Sequence, residues 1–221
     1  MDKLRYQCLV LDHDDTVMDS TAHIHYPAFL QAMEQMRPQV HMTLDEYFRM
    51  NFDPGFMAYC TDSLHFTPED VAQEHAIWQA YVKTHIPTVY PGVAEIIRRQ
   101  KAAGGYVCVA SHSVGENILR DYAANGLPQP DLVFGWELPP ELRKPAPYSL
   151  EQIMQKLSLP PSELLMVDDL KPGYEMARRC GVTFAAAGWA YDIPQIRRFM
   201  EGNCDLYFAD PEDLAKYLFE T

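Results

Sequence analysis

The chain of 221 residues is long enough for one large domain, or for one domain that carries an insertion. Its apolar fraction of 48% and charged fraction of 22% argue against a disordered tail or a collagen-type repeat. The formal net charge of −13 argues against a general affinity for nucleic acid or membrane surfaces, because both are themselves negative. A small anionic substrate is still compatible with this charge, since it needs only a local positive site.

The cysteines indicate reduced thiols and not a disulfide framework or a metal site, because they are odd in number, far apart and without a CxxC pair. They are Cys8, Cys60, Cys108, Cys180 and Cys204. No signal peptide is recognisable, and no run of about 18 apolar residues predicts a membrane span. We therefore expect a cytoplasmic protein, and in the absence of a clear oligomerisation signal we expect a monomer or a weak homodimer.

Six short apolar runs that end in polar or small residues predict buried strands in a sheet covered on both faces. They occupy residues 6–12, 106–111, 131–136, 164–169, 183–189 and 204–209. Helical patterns lie between them, for example at 93–102 and 148–157. Because strand and helix alternate from about residue 91 onward, we predict an α/β fold with a doubly wound, mostly parallel sheet.

A stretch of helical periodicity without a convincing strand interrupts this alternation at residues 17–90. We interpret it as an α-helical cap inserted into an α/β core of residues 1–16 and 91–221. Candidate helices lie at about 21–36, 43–50 and 67–84. The last opens with Thr67-Pro68-Glu69-Asp70, which combines a capping residue, a proline at the first helical position and acids in the first turn.

Polar side chains stand where several predicted strands end, which is the edge at which open α/β sheets bind ligands. Two crowded carboxylates favour a divalent cation such as Mg²⁺, which prefers oxygen ligands. A lysine and a serine hydroxyl at the same edge suit the oxygens of a phosphate. These side chains are Asp12 and Asp14 after the first strand, Ser111 after the second, Lys144 after the third and Asp168-Asp169 after the fourth.

In these residues the chain resembles the haloacid dehalogenase superfamily, and it is similar to its phosphoglycolate phosphatases and β-phosphoglucomutases. The first motif of that family, DxDx[TV], is matched by Asp12-His13-Asp14-Asp15-Thr16. Ser111 matches the second motif, Lys144 before Pro145 the third, and Asp168-Asp169 the fourth. The resemblance covers nearly the whole chain, including a helical cap of the expected size in the expected gap.

The resemblance implies a Mg²⁺-dependent phosphatase that hydrolyses a small phosphorylated metabolite through an aspartyl-phosphate intermediate. It makes Asp12 the nucleophile and Asp14 the general acid and base. The metal ligands that it implies are the carboxylate of Asp12, the main-chain carbonyl of Asp14 and Asp169, with Asp168 adjacent. Substrate-binding roles are implied for Ser111, Lys144, Thr16 and, next to Ser111, His112.

Three positions depart from the family pattern, and one of them is His112, which follows Ser111 where Asn is more usual. Asp15 stands where most relatives have a glycine in a tight turn, although aspartate tolerates left-handed backbone geometry better than most residues. Gly173 stands where relatives often have a second Asp or Asn near the metal, so one side chain is absent from the expected metal shell.

Several other functions stay open at this point. A hydrolytic dehalogenase would use Asp12 without needing Asp14, a phosphosugar mutase would share the phosphatase machinery, and a phosphonate-cleaving relative would need a cap lysine such as Lys83. A phosphate-binding or regulatory protein without turnover is the alternative from another class. In the cap, Arg49 and Asn51 are candidates for recognising the leaving group. For His23 and His25 a packing role is favoured.

Overall fold

The structure is a computed structural model that describes residues 4–220. Its strands are β1 (Cys8–Leu11), β2 (Met18–Asp19), β3 (Thr88–Val89), β4 (Tyr106–Ala110), β5 (Leu132–Phe134), β6 (Leu164–Asp168), β7 (Thr183–Ala187) and β8 (Leu206–Phe208). Its α-helices are α1 (Tyr26–Met36), α2 (Leu44–Phe52), α3 (Phe56–Ala58), α4 (Pro68–Thr84), α5 (Pro91–Ala102), α6 (Gly115–Ala124), α7 (Tyr148–Leu157), α8 (Lys171–Cys180), α9 (Pro194–Asn203) and α10 (Pro211–Phe219). Each of the six predicted apolar runs contains one strand, and both helices predicted between them are present.

Six strands form one parallel sheet in the order β5-β4-β1-β6-β7-β8. The chain runs from β1 outward to β4 and β5, and then returns to build β6, β7 and β8 on the other side of β1. This reversal places the ligand-binding crevice of such a sheet beyond the carboxyl ends of the strands around β1. The prediction of a doubly wound, mostly parallel α/β fold is confirmed.

Helices cover the sheet on both faces. Successive side chains of a strand point to opposite faces, and both Leu9 and Val10 in β1 are fully buried. On the Leu9 face the core includes side chains of α5, α6 and α10, such as Ile97, Tyr122 and Leu218. This two-sided burial explains why the strands appear in the sequence as continuous apolar runs and not as alternating patterns.

Capping residues set the start of two helices in the insertion, α2 and α4. The Thr67 side chain accepts a hydrogen bond from the Asp70 backbone N–H (3.2 Å), and the Asp70 carboxylate accepts one from the Thr67 N–H (3.0 Å). Helix α4 therefore begins as the sequence predicted. The helix predicted at 21–36 is instead divided into a π-helical turn, Thr21–His25, and α1. Pro27, which has no backbone N–H to donate, lies at this junction.

A short antiparallel ribbon precedes and follows the insertion. β2 and β3 pair through Met18 with Val89 and Asp19 with Thr88. The expectation that residues 17–90 contain no strand was therefore wrong, because two-residue strands are too short to leave a periodic pattern. The chain divides into two compact units, Met1–Asp19 with Thr88–Thr221, and Ser20–Pro87. The ribbon belongs to the first unit, whereas the sequence placed the junctions at 16/17 and 90/91.

The second unit has a small core of its own. Phe29 and Met33 from α1 pack with Tyr47 from α2 and with Phe66 before α4.

Among residues 4–220, no helix combines the length and the apolar character needed to cross a membrane. All five cysteines are free thiols.

Candidate active site

Asp12 lies directly after the central strand β1. Its backbone N–H donates to the Val167 carbonyl (2.9 Å), which continues the pairing of β1 with β6 by one residue and holds the Asp12 backbone in place. The side chain is only 4% exposed. A carboxylate this far from solvent requires a positive partner.

Lys144 is that partner. Its Nζ donates to Asp12 Oδ1 (2.8 Å) and to Asp168 Oδ2 (2.6 Å), and all three side chains are buried. Burial by itself lowers the pKa of Lys144, but the carboxylates of Asp12 and Asp168 outweigh this effect and hold the pKa above its usual value. Lys144 therefore stays charged between these two aspartates at neutral pH.

Three buried carboxylates converge at this edge of the sheet. One oxygen each from Asp12, Asp168 and Asp169 lies within 4.8 Å of the others. Burial raises the pKa of Asp168 to about 7, although Lys144 opposes the shift. Burial, followed by the charges of Asp15, Asp168 and Asp12, raises the pKa of Asp169 well above its usual value. One lysine does not neutralise this group, and an all-oxygen donor set fits a hard divalent cation.

Two side chains hold the Asp169 carboxylate. Thr16 Oγ1 donates to Asp169 Oδ1 (3.3 Å), and the Tyr191 hydroxyl lies 3.0 Å from Oδ2 and 3.1 Å from the main-chain carbonyl of the same residue. Trp189 Nε1 in turn donates to the Thr16 carbonyl (3.1 Å). Thr16 therefore contacts the acidic group, and its implied role toward substrate stays a prediction.

Asp14 points to a different segment from Asp12. The Ser113 hydroxyl donates a hydrogen bond to Asp14 Oδ2. The Ser113 backbone N–H donates to Ser111 Oγ (3.1 Å), and the Ser111 N–H donates to the Phe134 carbonyl (2.9 Å). The loop after β4 is thus tied to β5, and it delivers a hydroxyl to the second aspartate of the first motif.

His112 contacts the loop that carries Lys144. Its Nε2–H donates to the main-chain carbonyl of Lys144 (2.9 Å), and its ring meets Trp136 edge-on. Although His112 is exposed overall, desolvation by its packed neighbours, followed by the positive charge of Lys144, lowers its pKa to about 4. A neutral imidazole at neutral pH suits a role in holding this loop, and direct substrate binding by His112 stays a prediction.

The departures from the family pattern at Asp15 and Gly173 have a structural explanation. Asp15 adopts φ +58°, so the left-handed turn that tolerates aspartate is present. A Cβ on Gly173 would lie 2.1 Å from Asp168 Oδ2 and 2.4 Å from Asp168 Cγ. The Asp168 carboxylate therefore fills the space that a side chain at position 173 would need.

The sequence did not single out Ser113 or Tyr191. Tyr191 follows the end of β7, so inspecting the end of every predicted strand, including 183–189, would have drawn attention to it. Ser113 stands two residues after Ser111 in the same loop. Its contact with Asp14 brings together two separate loops, which spacing along the chain does not reveal.

The inserted unit holds the remaining candidates. His25 Nδ1 accepts a hydrogen bond from Trp78 Nε1 (3.0 Å) and the two rings stack, which is the kind of packing contact favoured for this histidine. Asn51 Nδ2 donates to the Tyr47 carbonyl of its own helix (2.9 Å). Recognition of a leaving group by Arg49 and Asn51 stays a prediction.

Comparison with known proteins identifies the family. The sequence profile described as haloacid dehalogenase-like hydrolase matches residues 9–187. The chain belongs to this family. This hydrolase is also similar to Protein CbbY of Rhodobacter capsulatus, with 28% identity over 191 residues that cover 81% of this chain and 84% of the relative.

Solved structures share the fold of this haloacid dehalogenase-like hydrolase. A variant of CbbY from Rhodobacter sphaeroides in complex with xylulose-(1,5)bisphosphate matches with a TM-score of 0.74 and 18% identity, over 95% of this chain and 96% of that chain. A predicted phosphoglycolate phosphatase from Haemophilus somnus 129pt matches with a TM-score of 0.75 and 18% identity, over 96% and 98%. The predicted resemblance to the haloacid dehalogenase superfamily is confirmed.

Proposed function

We propose that this hydrolase is a Mg²⁺-dependent phosphatase that cleaves a small phosphorylated metabolite through an aspartyl phosphate on Asp12. The observation that carries the proposal is the buried Asp12–Lys144–Asp168 arrangement at the switch point of the sheet. A carboxylate nucleophile and an anionic ester repel each other, and a charged lysine beside the nucleophile reduces that repulsion. The environment of Asp12 thus supports attack on phosphorus.

The proposed first half-reaction transfers the phosphoryl group to the protein. An oxygen of Asp12 forms a bond to phosphorus as the bond from phosphorus to the ester oxygen breaks. Asp14 gives a proton to the departing oxygen, so the alcohol leaves neutral. The hydroxyl of Ser113 orients the Asp14 carboxyl for this transfer.

The proposed second half-reaction returns the enzyme to its starting state. Asp14, now ionised, takes a proton from a water molecule as that water attacks phosphorus, and the bond to Asp12 breaks to release inorganic phosphate. Lys144, which is paired with Asp12 and Asp168 in the resting protein, offsets the negative charge of the phosphoryl group while Asp12 carries it. The presence of Asp14 also favours a phosphatase over a hydrolytic dehalogenase, because a dehalogenase of this family uses only the first aspartate.

Three carboxylates and the main-chain carbonyl of Asp14 would hold the divalent cation in this proposal. The carboxylates are those of Asp12, Asp168 and Asp169, which are buried, and one oxygen of each lies within 4.8 Å of the others. When bound, Mg²⁺ supplies Lewis-acid stabilisation of phosphate oxygens. Tyr191 and Thr16 keep the Asp169 carboxylate in a fixed orientation for that purpose.

The relatives support a phosphorylated sugar as the first substrate class to test. CbbY from Rhodobacter sphaeroides was crystallised with xylulose-(1,5)bisphosphate and with phosphate, and another structural neighbour is described as a predicted phosphoglycolate phosphatase. The acidic net charge argues against nucleic acid or a membrane surface as the substrate, because both are themselves negative. A cytoplasmic location stays a prediction from sequence.

The deciding experiment measures phosphate release from an aryl phosphate by the purified protein, with Mg²⁺ and with a chelator. We expect turnover that requires Mg²⁺ and is lost in Asp12→Asn, which removes the nucleophile and keeps the size of the side chain. Metal-independent turnover, or turnover that survives in Asp12→Asn, would refute the proposal. A panel of sugar phosphates and phosphoglycolate would then rank substrates by kcat/KM.

A further inference from the structure

The residue between the two aspartates of the first motif is a fully buried histidine. His13 is 1% exposed, and its Nε2 lies 3.1 Å from Asp121 Oδ2 on helix α6. Because an ionised carboxylate can only accept, Nε2 carries the hydrogen and donates it. The ring of His13 also stacks on Tyr122, with centroids 6.2 Å apart and planes 20° from parallel.

Asp121 is held on its other side by its neighbour in sequence. Arg120 Nε and Nη2 lie 2.8 Å and 2.7 Å from Asp121 Oδ1. This ion pair occupies Oδ1 and leaves Oδ2 for His13. The helix therefore presents a fixed acceptor to the first motif.

The His13 backbone is as constrained as its side chain. Its carbonyl accepts hydrogen bonds from the N–H groups of Val17 (3.0 Å) and Met18 (2.9 Å). His13 thus anchors the turn that leads from β1 through both aspartates to the ribbon strand β2. Three successive side chains of this turn are held by three separate segments, with Asp12 on Lys144, His13 on Asp121 and Asp14 on Ser113.

We expect the His13–Asp121 pair and its surroundings to contribute less to the free energy of folding than an apolar contact of the same volume. His13 Nδ1 and the Tyr122 hydroxyl are both buried without a hydrogen-bond partner in the described part of the chain. Unsatisfied buried polar atoms are unfavourable, and a well-packed apolar pair of the same volume is often at least as stable as a buried polar pair. What the histidine adds over an apolar residue is a directional bond to one atom of α6.

We propose that His13 and Asp121 are a positioning pair, which fixes the orientation of the backbone that carries Asp12 and Asp14. This inference rests on the proposed function, because the expected change is a change in turnover. The contacts of the pair do not themselves depend on which reaction takes place. The proposed reaction assigns neither residue a contact with substrate. Removing the bond keeps the backbone hydrogen bonds from Val17 and Met18 to the His13 carbonyl but releases the His13 side chain from α6, so we expect both aspartates to lose alignment.

The test combines single and double substitutions with a conservative variant. His13→Leu and Asp121→Leu each remove the bond, the double variant removes both partners, and His13→Gln keeps an N–H donor on a neutral side chain. Tyr122→Phe is the matched control, because it alters a group in contact with His13 but removes only a hydroxyl that makes no hydrogen bond. Steady-state kinetics with an aryl phosphate are measured below the melting temperature of each variant.

We expect kcat to fall about 10- to 100-fold in each leucine variant with little change in KM, which is the usual effect of removing a support behind a catalytic group. The double variant should lose no more than the worse single variant, because both changes break one bond. His13→Gln should recover part of the loss, and Tyr122→Phe should match wild type. Normal kcat in the leucine variants despite a lower melting temperature would assign the pair a merely structural role and overturn the proposal.

A second readout does not depend on turnover. Amide hydrogen exchange of the segment from Asp12 to Met18 should become at least about tenfold faster in the leucine variants and stay unchanged in Tyr122→Phe. Unchanged exchange in Asp121→Leu would overturn the positioning role whatever the activity. Wild-type protein without Mg²⁺-dependent turnover would instead refute the proposed function alone, so the two failures are distinguishable. If a leucine variant does not fold, Asp121→Asn is measured in its place.

Discussion

Gly173→Ala is the sharpest test of the geometry around Asp168. The added Cβ would lie 2.1 Å from Asp168 Oδ2, 2.4 Å from Cγ and 2.7 Å from Cβ, so most of the Asp168 side chain would have to move. That side chain is fully buried, accepts a hydrogen bond from the Leu170 N–H (2.8 Å) and pairs with Lys144 (2.6 Å). Moving it therefore breaks at least one of these contacts.

Two opposing effects set the magnitude. Forcing a methyl group into a packed site costs about 1–3 kcal/mol, whereas replacing glycine by alanine inside a helix contributes up to about 1 kcal/mol of stability. Gly202→Ala in α9 is the matched control, because its Cβ would meet nothing within 4 Å. We expect the two variants to differ by about 1–3 kcal/mol in unfolding free energy, with Gly173→Ala the less stable.

The assay is urea unfolding of both variants and wild type, together with kcat for an aryl phosphate. Displacing Asp168 also displaces Lys144, so we expect kcat to fall about 10- to 100-fold in Gly173→Ala only. If Gly173→Ala is as stable and as active as Gly202→Ala, the close approach of Gly173 to Asp168 is wrong. The explanation of the missing side chain in the fourth motif would then fail as well.

Three further predictions concern single hydrogen bonds and one buried acid. Tyr191→Phe removes the hydroxyl that lies 3.0 Å from Asp169 Oδ2, so the Mg²⁺ concentration for half-maximal activity should rise about tenfold. Ser113→Ala removes the donor to Asp14, so kcat should fall about tenfold while KM changes little. Burial raises the pKa of Glu74 from 4.5 to about 7. The wild-type protein should therefore lose up to about 3 kcal/mol of unfolding free energy as the pH rises from 4.5 to 7, and Glu74→Gln should not show this loss.

The sign of the Glu74 effect follows from proton binding. Between pH 4.5 and about 7 the folded protein keeps Glu74 protonated while the unfolded chain ionises it, so the unfolded state binds fewer protons and stability falls with rising pH. Urea unfolding of wild type and Glu74→Gln at pH 5 and pH 8 measures the difference, and Glu34→Gln, an exposed glutamate on α1, is the control. A gap between wild type and Glu74→Gln that does not change with pH would contradict the prediction. An unchanged Mg²⁺ dependence in Tyr191→Phe would contradict the first prediction. An unchanged kcat in Ser113→Ala would contradict the second.

The sequence by itself determined the fold class and much of the acidic group. Short apolar runs predict buried strands because a sheet covered on both faces buries every side chain of a strand, as in β1. Strand ends are local features, so Asp12 and Asp168-Asp169 could be assigned to one sheet edge before the structure was known. The left-handed turn at Asp15 was also a local matter, decided by which residues tolerate positive φ.

Only the tertiary structure decided which side chains hold the candidate catalytic groups. Lys144 pairs with Asp12 across 132 residues, and Ser113 reaches Asp14 across 99 residues. The bond of His13 to Asp121 joins residues 108 apart, and nothing in the spacing of either residue predicts it. Such contacts depend on the directions of side chains after the sheet and helices have packed, and local sequence patterns carry no information on those directions. In the sequence, Gly173 looked like a lost metal ligand, because the direction of the Asp168 side chain was not known. In the folded chain, glycine at this position leaves the space that the Asp168 carboxylate requires.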